Sequence, residues 1–255
     1  MPNAGHSGER ELTPLFYGEA TFRWLVEPRM SAVDPGTTAE LSYIRRSPHD
    51  WAEYVAPALF TATLGCSAFL LFSIQPMFTK MVLPRLGGAP AVWSVAMVFF
   101  QGALLCGYAY ADFLVRRVDP ARGALLHLSL LAAAAVSLPI GIASGCVAPT
   151  SGFIGLWLIG LFAASIGLPF VALSASAPLL QAWFARIGLG GGGNPYALYA
   201  ASNLGSFAGL IAYPFVIEPM LPLSMQAVAW SMGFAVLALM IAFAATLAAA
   251  AVDFL

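Results

Sequence analysis

No charged residue occurs from Tyr196 to Ile217. An α-helix needs about 20 such residues to cross the hydrocarbon layer of a bilayer. The middle of this run is nevertheless polar. It holds Ser202, Asn203 and Ser206, with Gly205 and Gly209 four residues apart. A carboxamide at mid-bilayer is costly unless it faces protein or water. Two glycines at this spacing let a neighbouring helix approach closely. The stretch therefore predicts a helix inside a bundle, with Gly205 and Gly209 as packing positions. Asn203 is expected to point inward, either as hydrogen-bonding glue or in contact with a bound molecule.

The rest of the chain repeats the pattern. Only 9% of its 255 residues are charged, against about 25% in soluble domains. Twelve of the 23 charged residues fall within the first fifty. Residues 1–50 read as a polar N-terminal extension, either disordered or upstream of the true start. Residues 51–255 read as an all-α, polytopic membrane domain whose partner is the lipid bilayer. The net charge of -1 supplies no basic face for nucleic acid. Cys66, Cys106 and Cys146 are far apart without zinc-ligand spacing and read as small packing residues. Neither a metal nor a cofactor is expected.

Six membrane spans follow from the apolar runs. The first covers about 54–74 and meets a kink at Gln75-Pro76, because proline removes a helix hydrogen bond. The second covers about 90–114 and the third about 123–143, with His127 near the headgroups. The fourth begins near Gly152. From there to Arg186 is about 52 Å as one helix, against a hydrocarbon core of about 30 Å. A break is expected at Ser174–Pro178, with Ser176 capping a short surface helix over 178–185. The fifth span is the Asn203 run, and the sixth covers about 223–250. Arginines favour the cytoplasmic side. Arg45, Arg46, Arg116, Arg117, Arg122 and Arg186 all fall on one side if both termini are inside. Lys80 and Arg85 then lie outside, either snorkelling to headgroups or forming an anion- or lipid-facing cluster.

The two halves show a weak internal repeat. Pro76, Arg85, Gly87-Gly88, Pro90 and Tyr108 are echoed by Pro178, Arg186, Gly190–Gly193, Pro195 and Tyr213. Three spans per unit would make this a 3+3 inverted repeat, the plan of many transporters, in which interrupted helices at matching positions mark the site. Gln75, Gln101 and Asn203 lie in uncharged spans, where an unpartnered amide costs several kcal/mol. All three are expected to face the interior. Gln101 and Asn203 would meet centrally, with Gln75, Lys80 and Arg85 at the outer mouth.

Catalytic patterns are missing. Gly188–Gly193 lacks the Lys-Ser/Thr ending of a phosphate loop. No Ser/His/Asp set or carboxylate pair falls within the spans, and Glu218 is placed in the loop between spans five and six.

Leu70-Leu-Phe-Ser-Ile-Gln-Pro-Met-Phe-Thr-Lys-Met-Val-Leu-Pro-Arg-Leu-Gly-Gly88, Ser176-Ala-Pro-Leu-Leu-Gln-Ala-Trp-Phe-Ala-Arg186 and Asn194-Pro-Tyr-Ala-Leu-Tyr-Ala-Ala-Ser-Asn-Leu-Gly-Ser206 carry a family resemblance. The chain, over about residues 55–250, resembles the half-major-facilitator-like membrane domain of fused major-facilitator/spermidine-synthase-like proteins. Asp112-x-x-x-Arg116-Arg117 is similar to the loop motif after helix 2 of major-facilitator transporters. In that family an aminopropyltransferase-like domain commonly follows the membrane part, and here the sequence stops at Leu255. The resemblance implies a transport-like or small-molecule-binding membrane module linked to polyamines; without that domain, enzyme activity does not carry over to this chain. The alternatives are a structural or regulatory membrane anchor for a separately encoded synthase-like partner, or an inactive truncated fragment; the expected partners besides lipid are a synthase-like soluble domain or a second copy. Against a polyamine path, the spans hold almost no acidic residue.

The orientation has a direct test. With Asp119→Cys in a chain otherwise free of cysteine, a membrane-impermeant maleimide should label only after permeabilisation. Ready labelling in intact cells would reverse the assignment.

Overall fold

The computed structural model describes residues 50–86, 90–143, 145, 153–187 and 195–252. The polar extension, the Gly188–Gly193 loop and Cys146 lie outside the described residues. Among the described residues the chain is all-α, without a strand. Helix α1 is Asp50–Val82 and passes into a 3-10 turn, Leu83–Leu86. Helix α2 is Ala91–Arg117 and α3 is Pro120–Ala135. Helix α4 is Ile154–Ile187, with a π-helical segment at Ala163–Gly167. Helix α5 is Pro195–Ala212, continued by a π-helical segment, Tyr213–Ile217, and a last turn, Glu218–Met220. Helix α6 is Leu223–Val252.

The core is aromatic. Phe78, Phe162 and Phe170 are almost fully buried, with Phe99 and Phe100 beside them. Ring centroids lie 5.1 Å apart for Phe78–Phe162 and 5.0 Å for Phe100–Phe170. Tilted contacts at such distances are the favoured geometry for aromatic pairs. The outward faces are apolar too: Leu105, Leu125, Phe207, Met232 and Leu239 are all exposed. Contiguous apolar exterior on this scale suits lipid rather than water. Among the described residues, five helices are long and apolar enough to cross a membrane.

Glycine fixes the closest helix contact. A Cβ built on Gly205 would collide with the Gly65 carbonyl, and one on Gly209 would lie 2.7 Å from the Phe69 carbonyl oxygen. Backbone therefore meets backbone between α1 and α5. The contacts advance together along both helices, Gly65 with Gly205, then Phe69 with Gly209, then Lys80 with Glu218. So α1 and α5 run parallel. Helices α2 and α4 do the same. A Cβ on Gly107 would strike Ser174, and further along Arg186 Nη2 donates to the Val115 carbonyl, 3.4 Å away. Two parallel helices in consecutive order require a return between them. Helix α3 therefore traverses the bundle between α2 and α4, although its 16 residues span only about 24 Å.

The segment after α3 completes that traverse. Residues 136–143 leave the helix ahead of Pro139, whose ring disfavours helical geometry at the residue before it. Bare backbone in a membrane needs partners from the protein. Ser231 Oγ accepts from the Ile140 N–H at 3.3 Å, and Ser165 Oγ accepts from the Ala143 N–H at 3.0 Å. The third helix is thus shorter than the expected 123–143. It begins at Pro120, where the Asp119 carboxylate caps the Ala121 and Arg122 N–H groups.

Three further expectations are corrected. Helix α1 does not end at Gln75-Pro76; it continues to Val82 through that proline. Helix α4 does not break at Ser174–Pro178, and no separate surface helix covers 178–185; Leu168–Ile187 is one helix with Pro178 inside. Ser176 is not a cap, because its hydroxyl donates back to the Ala172 carbonyl at 2.8 Å. Threonine and serine in mid-helix commonly bond backward in this way. The proline-associated irregularity sits instead in the π segments, one just before Leu168-Pro169 and one containing Pro214. A proline cannot donate to the carbonyl four residues back, so the ladder shifts register. Glu218 N–H accordingly donates to the Tyr213 carbonyl, five residues back.

The pairing of α1 with α5 and of α4 with α2 is the exchange expected if the first and fourth helices correspond, as in the 3+3 repeat.

Gly205→Leu should lower the melting temperature of detergent-purified protein by several degrees. The loss should exceed the roughly 1–3 kcal/mol of ordinary core overpacking, because the obstacle is backbone. Leu204→Ala, at an exposed position, should be close to neutral. Equal, small shifts would mean that the α1–α5 contact is not formed.

Candidate functional site

A cleft of about 520 Å³ lies where the C-terminal ends of α1 and α5 meet the start of α2. Helix α1 contributes Gln75, Pro76, Thr79 and Lys80; α2 contributes Trp93 and Phe100; α5 contributes Tyr213 and Glu218. The parallel course of α1 and α5 brings the last two turns of each to one level. Lys80 and Glu218 form an ion pair there, each a little over a third exposed. Most other lining groups are apolar.

The polar groups of the cleft are partly committed. Gln75 Nε2 donates to the Leu71 carbonyl at 3.3 Å, and Thr79 Oγ1 donates to the Gln75 carbonyl at 2.7 Å. Tyr213 is 3% exposed, and its hydroxyl has no hydrogen-bond partner among the described residues. It opens the π segment of α5, a local widening often found at functional positions. The cleft can thus offer one cation, one anion and an amide against aromatic walls. The described residues hold no cluster of metal-ligating side chains.

The expected site residues separate. Gln75 and Lys80 line the cleft. Arg85 sits exposed in the 3-10 turn and does not line it. Gln101 and Asn203 are both exposed on the outer surface of the bundle, so the inward, convergent placement expected for them is wrong. The reason is angular. Helical residues advance by about 100° each, so Asn203 lies about 200° from Gly205, which faces α1. Gln101 stands in the same relation to Phe99 and Ala103, both buried. A helix packed on one side cannot bury its glycines and this asparagine together.

Two residues acquire roles that the sequence reading did not give them. Glu218 is not a loop residue; it starts the last turn of α5 and pairs with Lys80. The available signal was charge placement, since Lys80 stood on the sparsely charged side and Glu218 was the acid nearest that end. His127 is fully buried within the bundle. Its Nε2 lies 3.1 Å from Ser176 Oγ. The serine hydroxyl also lies 2.8 Å from the Ala172 carbonyl, and His127 Nδ1 has no hydrogen-bond partner among the described residues. Rings of Tyr110 and Trp183 flank it at 6.2 Å and 6.3 Å. It ties α3 to α4, far along the bundle from the cleft.

The chain matches no protein-family model, no curated protein and no solved structure.

Lys80 and Glu218 should show coupling in a double-mutant cycle of thermal stability. A pair this exposed is worth about 0–1 kcal/mol. The exchange Lys80→Glu with Glu218→Lys should recover most of what either single change loses. Losses that simply add would mean that the two side chains do not meet.

Proposed function

We propose that the chain is an integral membrane module that binds a small molecule in the Lys80–Glu218 cleft, in a transport-like role. The observation that carries this reading is an ion pair joining two helices across an apolar cleft of about 520 Å³. Small-molecule sites generally have about 300–1,000 Å³ and apolar walls with a few polar groups. The resemblance to the membrane domain of spermidine-synthase-like fusion proteins, and the exchanged packing of the two halves, support the same reading. Both termini lie inside in this proposal, which puts the cleft at the outer face of the bacterial inner membrane.

The charge of the cleft narrows the ligand class. Lys80 already balances Glu218, so the lining is formally neutral. A polyamine would bring several cations to one carboxylate and face the lysine. A zwitterion with an apolar body places its ammonium on Glu218, its carboxylate on Lys80 and its body against Trp93 and Phe100. The proposal therefore favours a zwitterion over spermidine and assigns no aminopropyl transfer to this chain.

L-phenylalanine, phenethylamine, 3-phenylpropionate and spermidine test this in thermal-shift titrations of the purified protein. The expected result is stabilisation by L-phenylalanine alone, at about 2.7 kcal/mol for a hundredfold excess over Kd. Lys80→Ala and Glu218→Gln should each remove it. Stabilisation by spermidine or phenethylamine instead would replace the zwitterion with a cation. No response to any of the four would overturn the binding role.

A further inference from the structure

We propose that a second cavity, bounded by α1, α6 and the end of α5, binds a small neutral molecule that presents a hydrogen-bond donor from an apolar body. The site does not depend on the Lys80–Glu218 reading. Its volume is about 290 Å³, and its lining includes Cys66, Ser73, Tyr213, Gln226 and Trp230. An engineered apolar cavity of about 150 Å³ suffices for benzene, so a substituted aromatic ring fits here.

The chemistry of the lining selects the ligand. Gln226 is 3% exposed; its Nε2 donates to the Leu221 carbonyl at 2.7 Å, while its Oε1 has no partner among the described residues. The Tyr213 hydroxyl is the second unpartnered buried group, and Tyr213 also lines the cleft described above. A buried polar atom left unpaired costs about 1–3 kcal/mol. The Ser73 and Trp230 donors are engaged, because Ser73 Oγ and Trp230 Nε1 both donate to the Leu70 carbonyl, at 3.2 Å and 2.9 Å. The cavity therefore offers the free Gln226 acceptor and, at Tyr213, a hydroxyl that can accept or donate, a pair that an alcohol can satisfy. No charged side chain lines it, so an ion would lose its hydration without a counter-charge. What remains is a neutral donor such as an alcohol.

Benzyl alcohol, toluene and benzylammonium, compared at equal free concentration, separate these cases. Cys66 supplies a local readout in a chain carrying Cys106→Ser and Cys146→Ser. Benzyl alcohol should slow alkylation of Cys66 by N-ethylmaleimide at least threefold at saturation. Toluene should need roughly tenfold more ligand for the same protection, and benzylammonium should give none. A parallel thermal-shift titration with the same probes reports binding independently of thiol reactivity. In Gln226→Leu the preference for alcohol over toluene should vanish while toluene still binds. Tyr213→Phe repeats the measurement should the leucine variant fail to fold, and should reduce the preference. Equal affinity for alcohol and toluene in the parent chain would sink the proposal and leave the acceptors to a fixed water. So would an alcohol preference that survives both substitutions, or binding of benzylammonium in place of the alcohol.

Discussion

The structure depends on backbone meeting backbone at Gly65 and Gly205. Lipid supplies no hydrophobic force between helices, so close packing and polar contacts must hold a bundle together. The glycines permit an approach that any side chain would block, and the next turn repeats it with Phe69 and Gly209. Everything along α1 and α5 is then fixed in relative height. Lys80 reaches Glu218, the prolines Pro76 and Pro214 face one cleft, and Tyr213 is buried between two cavities. The same contact turns Asn203 outward.

Elsewhere the bundle is joined by sparse polar links that satisfy groups hydrocarbon would leave bare. Trp230 of α6 and Ser67 of α1 each donate to a carbonyl of another helix, Leu70 and Leu173 respectively. The non-helical stretch after α3 survives at depth because two serines take its N–H groups. His127 and Ser176 join α3 to α4 by a bond buried from both lipid and water. None of these is strong alone, since such membrane bonds average about 0.6 kcal/mol. Their role is to choose one arrangement among many that bury similar apolar area.

Segment identity was readable in the sequence because charge starvation and length are one-dimensional signals. The third helix was placed to within a few residues at its start, where Asp119-Pro120 mark it. Helix faces were another matter. A membrane helix is apolar all round, so periodicity does not say which side is covered. Only the small residues Gly205 and Gly209 marked a face, and reading Asn203 onto that face ignored the rotation between them. The prolines misled for a related reason. Proline weakens a helix in water, but here α1 and α4 run on through Pro76 and Pro178, and the shifts of register fall in π segments beside Pro169 and Pro214. The Lys80–Glu218 pair joins residues 138 apart in sequence, and a contact between such distant residues leaves no local pattern.

That distance has a consequence for synthesis. The partner of Gly65 emerges about 140 residues later, which at roughly 5–20 residues per second is a delay of about 7–28 s. During that interval the small-residue face of α1 has no native neighbour of its own. The first four helices must therefore wait in the membrane, or beside the insertion machinery, as an open assembly. Any other helix bearing a compatible groove is a competitor for α1 until α5 arrives.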